Sequence, residues 1–296
     1  MTSSRSNTLF PWSRDASLAW FLRGCGMITG TIVLLILLFL LLESSVAFRE
    51  VGLTRFFTDA SWHPSGGASQ GTFNLVPMLA ATLLSTVVAV ALATPLGIGS
   101  AMFAHFYAPR PLGHAYGKVI ELLAGIPSVV YGLWGLIVLV PLVARVQPPG
   151  ASLFTAIVVL TIMILPTIAL LAGAAFENLP AEYLQASAAL GLSRGRTVLS
   201  VVLPATRSGL ATAILLGTGR AIGETMAVLM VAGNVVQHPT GLFQPVRTLT
   251  ANIALEMAYA MADHRSALFV CGLLLMVLVI VLVGAAEWVS QGRIHG

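Results

Sequence analysis

Arg220 and Glu224 are the residues of this chain best suited to chemistry. Both fall inside an otherwise apolar stretch, 210–236, and their i, i+4 spacing puts them on one face of a helix, a turn apart. A guanidinium offers planar, paired N–H donors that match the oxygens of a tetrahedral oxyanion, and it never loses its charge. A carboxylate one turn away would orient that cation and offset its desolvation. At about 1.5 Å per residue, Arg220 lies roughly 15 Å from the start of the stretch at Leu210. If the stretch crosses a bilayer, that depth is near the midplane, where a charge costs on the order of 3 kcal/mol even on the lenient insertion scale. Such a charge must face a cavity or a partner. A purely structural ion pair is the competing reading, but intramembrane ionisable groups usually line a pathway.

The elements that hold this pair are set by composition. Of 296 residues, 57% are hydrophobic and only 9% charged, with a mean hydropathy of +0.92. A soluble domain of this length needs far more charge to coat its surface, so the chain reads as an all-α polytopic membrane protein. Six transmembrane helices are expected from apolar runs near 24–42, 75–103, 119–143, 151–174, 210–236 and 267–289. The first is an anchor and not a cleaved signal: its apolar core is long and Glu43, not an A-x-A site, follows. The expected organisation is a cytoplasmic tail (1–23), the first anchor (24–45), an external loop (46–72) and a membrane domain (73–289).

Basic residues set the orientation. With the N-terminus inside, the cytoplasmic segments hold Arg5, Arg14, Arg23, Arg110, Lys118, Arg194, Arg196, Arg207 and Arg293; the outer ones hold Arg49, Arg55, Arg145, Arg247 and Arg265. Nine against five favours both termini in the cytoplasm. The net charge of +4 is accounted for by this topology signal, so no nucleic-acid partner is implied. Cys25 and Cys271 have no C-x-x-C or His-rich surroundings, which excludes a disulfide framework or zinc site. His63, in the turn-rich Trp62–Gly67 stretch, has no partner at metal-ligand spacing and reads as a surface residue. A short helix over 248–262, bearing Glu256, is expected in the second outer segment. Gly219 and Gly223 form a G-x-x-x-G pair that would let another helix approach closely.

Between the fourth and fifth runs lies a polar segment, 177–206, carrying Glu182, Arg194 and Arg196. Wedged between spans, it can face only water or another protein. Its Gln185-Ala186-Ser187-Ala188-Ala189-Leu190-Gly191, followed by Val201-Val202-Leu203-Pro204, resembles the E-A-A loop of bacterial ABC importer permeases. Gln185 stands where that pattern has Glu, and Ser187 where it has its second Ala. Gln185, Ala186, Ala189, Leu190, Gly191, Leu203 and Pro204 would then form the surface that couples to an ATPase. The segment Gly217–Asn234 resembles the fifth-span signature of phosphate-specific ABC permeases, and Glu121–Gly135 resembles the third-span entry of the same family. Met226-Ala227-Val228 and Trp62-His63-Pro64 are more similar to its C-type subunits than to the A-type paralogues. The resemblance implies a type I importer permease fold with a cytoplasmic coupling-helix loop. It also implies an A-type permease partner, two copies of a cytoplasmic ATPase and an external phosphate-binding protein, either periplasmic or surface-anchored, with the chain embedded in membrane lipid.

The chain carries no ATPase motif of its own. A P-loop needs G-x-x-x-x-G-K-[ST], and the sole lysine, Lys118, is followed by Val119. No catalytic residue and no bound cofactor are therefore expected here; ATP and magnesium would sit on the partner. Rival readings are a permease for sulfate or molybdate, an ion-coupled carrier using Arg220 and Glu224 as a proton relay, and an intramembrane hydrolase. The last is disfavoured because the histidines fall in loops or at span ends, and a secondary carrier needs no coupling loop.

Overall fold

The chain is seen in a computed structural model that describes residues 12–291, so Arg5 and Arg293 of the charge argument lie outside the described residues. Helix α1 (Trp12–Glu50) runs through the boundary drawn at residue 23 and leads to α2 (Arg55–Thr58). A small antiparallel hairpin follows, β1 (Trp62–His63) pairing with β2 (Thr72–Phe73), with α3 (Gly67–Gln70) between them. Helix α4 (Val76–Met102) ends in a π-helical turn, Phe103–Tyr107. Next come α5 (Arg110–Ala124), α6 (Ser128–Trp134) and α7 (Val140–Ala144), the last two joined by a π-helical turn. Helix α8 (Leu153–Glu177) precedes the polar segment, which contains α9 (Ala181–Ala189), α10 (Arg194–Thr197) and α11 (Leu203–Ala205). The chain then forms α12 (Arg207–Ile222), α13 (Met226–Val231), α14 (Leu249–Glu256) and α15 (Ala262–Gln291).

Among the described residues, four helices are long and apolar enough to cross a membrane: Leu18–Glu50, Val76–Tyr107, Leu153–Glu177 and Ala262–Gly284. The number rises to six if each of two bent helix pairs counts as one span. The first bend corrects the expectation of an unbroken span at 119–143, and a break after Ile222 corrects that at 210–236. In the first, Arg110–Ala124 and Ser128–Ala144 meet at 89°. Pro127 sits in extended conformation (φ −59°, ψ 140°), so the helix stops before it and restarts at Ser128. The second expected run is covered by α12, which begins earlier, at Arg207, and ends at Ile222; after Gly223, Glu224 and Thr225 the helix resumes as α13. Helix α12 is itself bent by 72° from the preceding Arg194–Ala205 rod.

Helix α8 is the centre of the bundle, with 67% of its most apolar window buried. Ser152 caps its start, accepting from the Thr155 N–H at 3.4 Å, while the Thr155 hydroxyl donates to the Gly150 carbonyl at 2.6 Å. Halfway along, the fully buried Ile168 fits between two glycines on opposite neighbours. A Cβ on Gly97 of α4 would meet its side chain at 3.0 Å, and one on Gly217 of α12 at 2.8 Å. These two contacts fix the axial register of α4, α8 and α12. The G-x-x-x-G expectation therefore needs correction within this chain: a Cβ on Gly219 would meet nothing within 4 Å, and on Gly223 only its own helix's Gly219 carbonyl. Gly219 lies on an exposed face and Gly223 in the break, so the close-packing glycine of α12 is Gly217. The apolar window of α1 is 0% buried, and the helix packs chiefly along α15.

The hairpin end of the molecule has its own core, in which Phe56, Trp62, Phe73, Leu249 and Leu268 are buried together. The polar segment 177–206 lies at the other end of α8. At about 1.5 Å per residue, the 25 residues of α8 separate the two ends by roughly 37 Å.

Candidate functional site

Arg220 lies in the last turn of α12, where free carbonyls carry partial negative charge that suits a cation. Its guanidinium is partly buried, and Nη1 donates to the hydroxyl of Thr167 on α8 at 3.0 Å. The Gly217–Ile168 contact brings these side chains together: Arg220 is three residues beyond Gly217, and Thr167 precedes Ile168. Thr167 is 14 residues into a helix of 25, so the contact is near mid-span. Arg220 therefore lies against the middle of α8.

Glu224 departs from expectation. Because α12 stops at Ile222, Glu224 is not one helical turn above Arg220, and among the described residues no ion pair joins the two. Its carboxylate instead accepts from the Ala227 N–H at 3.0 Å, satisfying a free donor in the first turn of α13. Its carbonyl accepts from the Thr250 hydroxyl at 3.0 Å, which pins the break to the start of α14. The i, i+4 argument assumed a continuous helix; the break removes that premise. Non-helical backbone at mid-span persists where protein or a water-lined cavity satisfies it, as discontinuous helices do around transported ions.

At the hairpin end sits a polar cluster that sequence reasoning did not assemble. Glu256, at the end of α14, accepts from Trp62 Nε1 (2.9 Å) and Arg247 Nη1 (2.6 Å), and pairs with His264 Nε2 (2.8 Å). Arg247 also donates to the Asn234 carbonyl at 2.9 Å and to Asn252 Oδ1 at 3.1 Å. Glu256 is 7% exposed, so these bonds are what make its burial tolerable. The partners lie up to 194 residues apart, and only the fold brings them together. Helix α14 is shorter than the expected 248–262, although the Thr248 hydroxyl does cap it, accepting from the Ala251 N–H at 3.3 Å. The cluster borders a cavity of about 530 Å³ lined by Trp62, His63, Tyr259 and His264 among others. His63 is exposed and bonded through Nδ1 to Ser61 Oγ at 3.0 Å, as a surface residue would be.

At the opposite end, α9 carries Gln185, Ala186 and Ala189, and all three are exposed. The helix closes on Leu190 and Gly191. The Leu192 N–H reaches back to the Ser187 carbonyl (3.1 Å) and the Gly191 N–H to Ala188 (3.0 Å), with Gly191 at φ +70°. That is a Schellman cap, which needs a residue tolerant of left-handed backbone. Leu190 stands 78% exposed on the turn, a large apolar side chain offered outward. Leu203 packs inward beside Ala101, Phe176 and Val202, whereas Pro204 is exposed just before the 72° bend. Alongside, His105 at the end of α4 bonds the Ala101 carbonyl (2.9 Å) and Glu177 (3.3 Å), fastening α4 to the exit of α8.

A helical bundle with broken spans, a guanidinium at mid-span and an exposed capped helix at one end defines a membrane permease. Residues 93–295 match the family described as binding-protein-dependent transport system inner membrane component, and the chain belongs to that family. It is 36% identical over 255 residues to a phosphate transport system permease protein PstC from Mesorhizobium japonicum, covering 79% of this chain and 77% of that one. It is 35% identical over 275 residues to a probable ABC transporter permease protein YqgH from Bacillus subtilis, covering 91% and 88%. Among solved structures, the fold matches a bacterial ABC transporter that imports the acidic polysaccharide alginate (TM-score 0.63, 14% identity, 95% of this chain and 99% of that one). It also matches the inward-facing MetNI methionine ABC transporter (TM-score 0.61, 21% identity, 74% and 95%). At these identities the structural matches speak for the fold.

Proposed function

We propose that this chain is the C-type permease subunit of an ABC importer that carries inorganic phosphate into the cytoplasm across the inner membrane. One observation carries the reading: a guanidinium is held at mid-span, beside a break in its own helix, with a hydroxyl as its partner and, among the described residues, no carboxylate. Such a cation retains its charge for a passing anion instead of spending it on an internal ion pair. The similarity to phosphate transport permeases supports phosphate as that anion.

In this reading Arg220 contacts the anion, and Glu224 shapes the pathway by ending one helix segment and starting the next. Gln185, Ala186, Ala189, Leu190 and Gly191 form the surface that docks on an ATPase, and Leu203 and Pro204 transmit its movement to α12. ATP and magnesium are bound by that partner, in two copies, and this chain performs no hydrolysis. An A-type permease completes the pathway with further donors, since one arginine cannot enclose a phosphate. An external phosphate-binding protein delivers cargo to the hairpin end. The loop 46–72 is external, and the tail, the coupling loop 177–206 and both termini are cytoplasmic.

The test is phosphate uptake by the reconstituted complex. Arg220→Ala should abolish uptake while assembly with the ATPase survives. Arg220→Lys should recover it poorly, because an ammonium keeps the charge but loses the fork of donors. Near-normal uptake by Arg220→Ala would overturn the assignment. Sulfate or molybdate competing at the level of phosphate, with the delivery protein bypassed, would identify the pathway as a general oxyanion one. Uptake that survives ATP depletion under a maintained proton gradient would instead indicate a secondary carrier.

A further inference from the structure

Threonines in these helices mostly turn their hydroxyl back onto their own backbone. Thr161 on α8 donates to the Ile157 carbonyl at 2.7 Å, and Thr218 on α12 to the Ile214 carbonyl at 2.7 Å. Thr167, six residues beyond Thr161 on the same helix, does not. Its oxygen accepts from Arg220 Nη1 at 3.0 Å, and none of the described residues accepts its proton. This is the sole hydrogen bond of Arg220 among the described residues, so the remaining guanidinium N–H donors are also uncommitted. We propose that Thr167 is a second anion-contacting residue of the pathway: oriented by Arg220, its hydroxyl donates to the same tetrahedral oxyanion that the guanidinium binds.

The chemistry follows from the direction of that bond. A hydroxyl that accepts from a cationic N–H must turn its own proton away from the guanidinium. A neighbouring oxyanion then meets a fork of N–H donors and an O–H donor together. The hydroxyl also holds the guanidinium against α8, where a long side chain would otherwise be free to swing toward water. Ile168, locked between Gly97 and Gly217, fixes the register on which the contact depends. The inference rests on the reading of Arg220 as an anion contact and adds a residue on a different helix, so anion binding would engage α8 and α12 together.

The experiment compares phosphate uptake per reconstituted complex in Thr167→Val and Thr167→Ser, with Arg220→Ala as reference. Thr167→Val keeps the shape and removes the hydroxyl, and should lower the saturated uptake rate about tenfold or more, as for loss of a hydrogen bond to a charged group. The phosphate concentration at half-saturation, set by the delivery protein, should stay within about twofold of wild type if delivery is untouched. Thr167→Ser restores the hydroxyl and should return the rate to within about threefold, a rescue that a packing role would not produce. If Thr167→Val assembles poorly, Thr167→Ala against Thr167→Ser makes the same comparison between two small residues. Uptake at the wild-type rate in Thr167→Val, with none in Arg220→Ala, would overturn the Thr167 inference and leave the functional reading standing. Equal loss in the Ser and hydroxyl-less variants would also overturn it. Normal uptake in Arg220→Ala would remove the functional reading and this inference with it.

Discussion

At Arg220 and Glu224 the chain places opposite charges four positions apart and then gives each a different partner. The guanidinium goes to Thr167 and the carboxylate to the first turn of α13, so removing one charge does not strand the other. This leads to a distinct expectation for a double-mutant cycle. Glu224→Gln keeps an amide oxygen able to accept from Ala227 and should cost little uptake, whereas Arg220→Gln should lose it. The double variant should match Arg220→Gln, with a coupling energy within about 0.5 kcal/mol, as for residues without a shared contact. Uptake and complex yield are the measurements. Recovery of uptake in the double variant would mean a strut pair and a misplaced site. Residue types and their apolar surroundings made the arginine legible from sequence. Thr167 was not, because one more threonine in an apolar helix carries no local mark of what it faces.

Among the elements, those with a chemical full stop are readable and those without are not. The cap at Leu190–Gly191 announces where α9 ends, since Gly191 takes left-handed backbone. Proline alone announces nothing, because Pro95 and Pro166 lie inside α4 and α8 while the chain breaks at Pro127, within a run expected to be continuous. The break at 223–225 has no proline, and Gly223 reads equally well as a packing glycine. A prediction belongs to the capped turn. Gly191 sits at φ +70° with open space around its Cβ position, so a side chain there meets no neighbour but strains the backbone by about 1–2 kcal/mol. Gly191→Val should leave the spans and the complex yield intact, distort the α9 turn that presents Leu190, and separate ATP hydrolysis from transport. Hydrolysis and phosphate uptake measured on the same complex report this. Unchanged uptake with normal ATPase association would show that the turn is not a coupling surface.

Across the whole molecule, the hairpin end and the coupling end lie at opposite ends of α8. Orientation in a bilayer is testable through them. In a background lacking Cys25 and Cys271, cysteines at Ser65 and Ser193 should react with an impermeant thiol reagent from opposite sides, Ser65 from outside. Ser65 and Ser193 are both exposed, so failure to label would not reflect burial. Labelling of both from outside would overturn the cytoplasmic placement of the coupling loop. The polar cluster around Glu256 binds the hairpin, α14 and α15 into one unit at the outer end in this reading, and Thr250 ties that unit to the break beside Arg220. A helix of eight residues thus joins the delivery face to the proposed anion contact.

By itself, the amino-acid sequence determined that this chain is a membrane bundle, where its apolar runs lie, that a polar segment interrupts them, and that an arginine is buried among them. Those properties are local: hydropathy, spacing and the backbone limits of Gly and Pro act through a residue's immediate neighbours. Tertiary structure alone decided which glycines pack, with Gly217 and Gly97 enclosing Ile168 while Gly219 stays exposed. It also decided that Glu224 caps a new helix and that Arg220 turns to Thr167, 53 positions away. Hydrogen bonds are won by whichever donor and acceptor the packed helices bring within about 3 Å, and that competition is settled by register between helices, a quantity no single segment contains.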